Sequence, residues 1–72
     1  MIQYAVVIER GKDGGYGAYL PDLPGCVAVA ETEAEVRKLI REAVEIHLKS
    51  MREDGDPIPQ PSTQVEYVAL AS

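Results

Sequence analysis

Residues 32 to 57 constrain the fold more than any other stretch of this chain. Thr32-Glu33-Ala34-Glu35 has the form of a capping box, in which the Thr32 hydroxyl accepts from the Glu35 amide and the Glu35 carboxylate reaches back. Asp54-Gly55 followed by Pro57 marks a stop, with glycine for the left-handed cap and proline just beyond. The spacing predicts a helix over 33 to 54. Val36, Leu39, Ile40, Ala43, Val44, Ile46 and Met51 fall on one side of it, and charged residues after the first turn fall on the other. Glu33–Arg37, Lys38–Glu42, Arg41–Glu45 and Glu45–Lys49 are each spaced to add a few tenths of a kcal/mol. Such a helix is about 33 Å long at 1.5 Å per residue. In a 72-residue chain its far end is expected to project past the element it packs on.

The remaining segments read as strands and turns. Ile2, Tyr4, Val6 and Ile8 alternate with Gln3, Ala5, Val7 and Glu9, which places the first set on one face of a strand ending near Arg10. The glycine-rich run Gly11-Lys12-Asp13-Gly14-Gly15 joins it to a second strand, Tyr16 to Leu20, as a hairpin. Pro21-Asp22-Leu23-Pro24-Gly25 interrupts the pattern. Cys26 to Glu31 reads as a third strand with Val27 and Val29 on one face. Past the helix, Pro57-Ile58-Pro59-Gln60-Pro61 is expected to be extended and polyproline-like. Gln64 to Leu70 is expected to form a last strand, joining the sheet parallel to its neighbour. Val65, Tyr67 and Ala69 alternate in it against Glu66, Val68 and Leu70. The expected class is α+β: one domain over 1–72 in the order β-β-β-α-β, an antiparallel meander plus a last strand, with the helix on one face.

Size limits how such a domain is stabilised. A chain this short buries only about 60% of its unfolded surface. It has no Trp and no Phe, and its four aromatic residues are all Tyr. One Cys excludes an internal disulfide, and one Cys with one His cannot close a four-ligand zinc site. Self-association or another partner is the expected supplement, and no cofactor is expected. Net charge is −5. The segment 33 to 53 balances its charges, so the acidity lies elsewhere. Such a surface repels nucleic acid and attracts a basic partner, or simply aids solubility. No apolar run approaches the ~20 residues that span a membrane. The N-terminal stretch lacks the marks of a signal peptide, so a cytoplasmic location is expected.

The candidate chemical groups are few. His47 falls near the middle of the apolar stripe, where a hydrogen-bonded core or rim histidine competes with a general base or a ligand. Asp22, Asp54 and Asp56 are spread over a loop and a helix end, a poor start for a two-metal carboxylate site. Cys26 has no base near it in sequence and reads as a buried structural thiol. The glycines of 11 to 17 lead into a strand, so they form no phosphate loop. The stretch Tyr16 to Cys26 concentrates tyrosines, Leu23 and two prolines on a strand edge and a rigid loop. That composition suits protein recognition as well as ordinary turn chemistry.

Four motifs resemble the HicB-like antitoxin family in order and spacing: Tyr19-Leu20-Pro21-Asp22-Leu23-Pro24-Gly25-Cys26, Thr32-Glu33-Ala34-Glu35, Glu42-Ala43-Val44-Glu45-Ile46-His47-Leu48, and the exit Glu53-Asp54-Gly55-Asp56-Pro57-Ile58-Pro59-Gln60-Pro61-Ser62. The resemblance implies a degenerate ribonuclease H-like fold. It implies pairing with HicA, a small basic ribonuclease that cleaves messenger RNA and is masked by its antitoxin. It also implies a dimer or higher homo-oligomer. Many members carry a further operator-binding domain; this chain is expected to be the short form without it. Counterparts of the ribonuclease H catalytic aspartates are not identifiable, and a shared fold does not carry the activity. The expected function is therefore a non-enzymatic antitoxin with no direct nucleic-acid or membrane contact. Tyr19, Pro21, Asp22, Leu23 and Pro24 form its expected partner-binding surface. The alternatives are an orphan oligomeric module and a reduced nuclease using Asp22, Asp54 or His47.

Overall fold

The helix lies where its end signals place it. In the computed structural model, which describes residues 2–71, α1 spans Glu33–Asp54. The single-domain expectation also takes in Met1 and Ser72, which lie outside the described residues. Thr32 is extended, and its Oγ1 accepts from the Glu35 amide at 3.1 Å. At the other end Gly55 turns left-handed at φ 75° and donates to the Arg52 carbonyl, while Asp56 N–H donates to the Met51 carbonyl. This paired closure satisfies carbonyls that the helix leaves open, and it requires a residue that tolerates positive φ.

Three short strands form an antiparallel sheet in the order β1-β2-β3: β1 Val7–Arg10, β2 Tyr16–Tyr19 and β3 Val27–Ala30. The register sets Ile8, Ala18 and Ala28 in one row and Val7, Tyr19 and Val27 in the next. Alternation sends these rows to opposite faces. The inner row meets α1, which lies over β3 and β2. Ala18, Ala28 and Ala30 supply that face with small side chains packed in or against the core. The buried core is Ala18, Leu20, Leu23, Cys26, Val36 and Ile40, with Tyr4, Ile8, Tyr16, Val44 and Leu48 among the residues packed around it.

Three expectations are corrected. The last strand over Gln64 to Leu70 is not formed: these residues are all exposed and pair with nothing in the sheet. Hydrogen bonds from Ser62 and Thr63 to Asp22 hold the chain at the loop end of the sheet, and the segment leaves the body from there. The first strand begins at Val7, not Ile2. β2 ends at Tyr19 as the chain turns into Pro21, so residues 2–6 find no ladder. The helix stripe is also narrower than its pattern suggests. Val36 and Ile40 are buried and Ala43 and Val44 pack against them, but Ile46 is 70% exposed and Leu39 also faces water. Those two residues lie seven apart on the flank of the stripe, and a three-stranded sheet does not reach that far round. Of the four charge pairs expected along the helix, Glu33–Arg37 is within ion-pair distance among the described residues, at 3.8 Å.

Candidate partner-binding surface

The loop between β2 and β3 is built from two successive turns. Leu23 N–H donates to the Leu20 carbonyl and Cys26 N–H to the Leu23 carbonyl, each at 3.2 Å, and Gly25 supplies a φ of 88°. This three-residue repeat turns Leu20, Leu23 and Cys26 into the core. It leaves Tyr19, Pro21 and Pro24 exposed. The five residues singled out from the sequence are therefore split. Leu23 is 1% exposed and anchors the loop from below, so it offers nothing to a partner. Tyr19, Pro21 and Pro24 form the outer surface.

Asp22 has a third role, which sequence reasoning missed. Its Oδ2 accepts from the Ser62 and Thr63 amides, each at 3.1 Å. Its Oδ1 accepts from the Ser62 and Thr63 hydroxyls at 3.0 and 2.9 Å. The carboxylate thus fastens the loop to a segment 40 residues further along the chain. The Thr63 amide, with the three other donors, holds the Asp22 carboxyl below the ordinary carboxylate range and outweighs its partial desolvation. The signal available in the sequence was Ser62-Thr63 itself, two hydroxylated residues just after the last proline. A second fastening lies beside it, where the Tyr4 hydroxyl donates to the Pro59 carbonyl at 2.6 Å. The proline segment therefore ties the helix exit to the first strand's N-terminal extension.

The outer face of the sheet continues from the loop. Tyr19 stands beside Val27 in the register, and Gly17 beside Val29. Val27 is 63% and Val29 77% exposed, so this face carries a strip of apolar surface that nothing among the described residues covers. The sequence had put both valines on one face but not in the site. The clue was that β3 is apolar on both sides, with Ala28 and Ala30 facing inward. Glu9 borders the strip on β1.

The other candidate groups do not assemble. Cys26 is buried, and burial pushes its thiol pKa up, away from nucleophilic character. His47 is half-buried on α1, while Asp54 and Asp56 are exposed at the helix end. Among the described residues no three His, Cys, Asp or Glu side chains gather as metal ligands would. Among them, too, no helix is long and apolar enough to cross a membrane.

Comparison with known proteins adds a consistent set of matches. Residues 4–71 match the model of a family described as HicB_like antitoxin of bacterial toxin-antitoxin system. A UPF0150 protein of Synechocystis is 33% identical over 67 residues, covering 93% of this chain and 85% of its own length. Another from Archaeoglobus fulgidus is 37% identical over 57 residues, covering 76% of this chain and 83% of its own. An uncharacterized 14.9 kDa protein of Haemophilus phage HP1 is 32% identical over 65 residues, and the chain spans 48% of its length. The crystal structure of the N-terminal domain of Burkholderia pseudomallei antitoxin HicB superposes with a TM-score of 0.66 at 26% identity. That match covers 92% of this chain and 69% of the other.

Proposed function

The chain belongs to the HicB-like antitoxin family of bacterial toxin–antitoxin systems, and from that premise we propose that it neutralises a HicA-type toxin in the cytoplasm by covering it. The partner is a small basic ribonuclease, and the antitoxin makes and breaks no bonds of its own. In this reading the sheet and helix are a reduced ribonuclease H-like scaffold that has kept a shape without its chemistry. The observation that carries the proposal is the uncovered strip of Tyr19, Val27 and Val29, continuous with the proline-stiffened loop, on a chain of net charge −5. An apolar centre with a rigid backbone loses little entropy on docking. Surrounding negative charge speeds encounter with a basic protein more than it strengthens the final complex. Pro21 and Pro24 extend the contact. Asp22 and Leu23 hold the loop in shape from behind.

The test is a titration against whatever small basic protein a neighbouring reading frame encodes, with ribonuclease activity of that protein as a second readout. Tyr19→Asp and Val29→Asp are each expected to weaken binding by about 2 kcal/mol or more, roughly thirtyfold, as central interface residues do. Added salt is expected to slow association with little effect on dissociation. Unchanged affinity in both variants removes this face from the interface. Failure of the neighbouring product to bind at all removes the antitoxin reading and leaves an interaction module.

A further inference from the structure

The loop between β2 and β3 holds few bonds of its own. Residues 21–25 include two prolines, which have no amide to donate. Among the described residues, the loop's backbone bonds are Leu23 N–H to the Leu20 carbonyl and Cys26 N–H to the Leu23 carbonyl, both at 3.2 Å. Both lie along the stem that Leu20, Leu23 and Cys26 anchor in the core. Pro21 and Pro24 are exposed, and their side chains carry no polar atom to hold them. Every side-chain hydrogen bond of residues 21–25, among those described, is made by Asp22. These four bonds, at 2.9 to 3.1 Å, end on a carboxylate and so are stronger than the neutral turn bonds.

The donors come from a stretch with little freedom. Gly55 and Asp56 close the end of α1. Three of residues 57–61 are proline, whose fixed φ stiffens the backbone. Midway along, the Tyr4 hydroxyl donates to the Pro59 carbonyl and ties the stretch to the body. Ser62 and Thr63 are thus delivered to Asp22 from the helix end along a braced path. Ser62 is exposed and Thr63 half-buried, so the clamp lies at the surface, where a local opening does not unfold the body.

We infer that the seating of Ser62 and Thr63 on Asp22 regulates the candidate partner surface, by fixing the shape of the loop that sets Pro21 and Pro24 beside Tyr19. Asp22 is a positioning residue in this scheme: it acts through the loop and not by touching the partner. With the clamp closed the loop holds one shape. With it open the stem stays anchored and the outward prolines sample several. A partner that fits one shape binds only the fraction of molecules holding it, and its apparent affinity falls by that fraction. The coupling is reciprocal, so a partner seated on the loop favours the closed clamp by the same factor. Whatever engages residues 62–63, or the arm of residues 64–70 that follows them, therefore tunes the loop from behind. The partner in this scheme rests on the antitoxin reading, whereas the ordering of the loop by the clamp does not.

Two measurements on the full chain test this: amide exchange at Leu23 and Cys26, and binding rates against the small basic protein of a neighbouring reading frame. Ser62→Ala with Thr63→Val removes both hydroxyl donors at constant charge. The pair is expected to speed exchange at the two amides, and to slow association, by about threefold each, with dissociation and helical content unchanged. Asp22→Asn is expected to have the larger effect, about tenfold on exchange. Adding the Ala–Val pair to it is expected to change nothing more, since the groups form one network. Ser62→Thr with Thr63→Ser keeps both hydroxyls and is expected to restore wild-type values. Loop amides indifferent to these changes overturn the proposal, as does a full additional effect on top of Asp22→Asn. Faster dissociation with unchanged association overturns it too, because it marks Ser62 and Thr63 as direct contacts. If the neighbouring product does not bind the wild type, the antitoxin reading falls, and exchange at Leu23 and Cys26 alone decides this proposal.

Discussion

The helix and the C-terminal arm carry equally regular patterns, yet one forms its element alone and the other does not. α1 closes its hydrogen bonds within its own residues, and both unsatisfied ends are capped locally by Thr32 and Gly55. A strand makes no such bonds with itself. Residues 64–70 alternate well, but a ladder needs a neighbouring edge, and past the clamp at Asp22 they lie exposed and in no ladder. The difference lies in where each element's partners are found, and periodicity says nothing about that for a strand.

The largest effect expected within the folded body is at Leu23. Leu23→Ala is expected to cost about 2–5 kcal/mol in chemical denaturation, the range for a buried leucine. A loss below about 0.5 kcal/mol would mean that the loop stands free of the core and behaves like the arm. Thr32→Ala is expected to cost about 1 kcal/mol through the lost cap, and Gly55→Ala a similar amount through its positive φ, both read by the same denaturation. If neither variant moves stability, the contrast between a self-capped helix and an unpaired arm fails. Acidification should loosen the clamp before it loosens the helix. Asp22 is held below its ordinary range in the folded chain, so its contribution is complete above about pH 3.9, the usual free value. It disappears as pH falls through the lowered folded value. Exchange at the Ser62 and Thr63 amides should rise in that window, corrected for the intrinsic rate, and Asp22→Asn should flatten the response. The smallest effect is expected in the arm: Tyr67→Ser should leave the stability of the isolated monomer within about 0.5 kcal/mol, as exposed sites do.

Much of the fold was legible because its signals are local. The capping box, the Gly55 stop and the glycine hairpin each specify their own neighbourhood, and α1 has the bounds its sequence predicts. The candidate surface was harder to read. Pro21, Leu23 and Pro24 look alike as rigid apolar loop residues, but a turn repeating every three residues buries Leu23 and exposes the prolines. Asp22 reads as a free loop charge until Ser62 and Thr63 are brought to it across the fold. Val27 and Val29 read only as sharing one face of a strand, and which face it is becomes plain when Ala28 and Ala30 are seen to take the inner one.

The fastening at Asp22 has a mechanical consequence. Tension on the C-terminal arm arrives first at Ser62 and Thr63, whose four bonds converge on one carboxylate and so share the load. A tug there reaches the Leu20–Cys26 loop through Asp22 as well as the helix exit through the backbone. Whatever grips the arm therefore loads the loop's outward prolines and, through Leu23 beside Asp22, the core beneath them together.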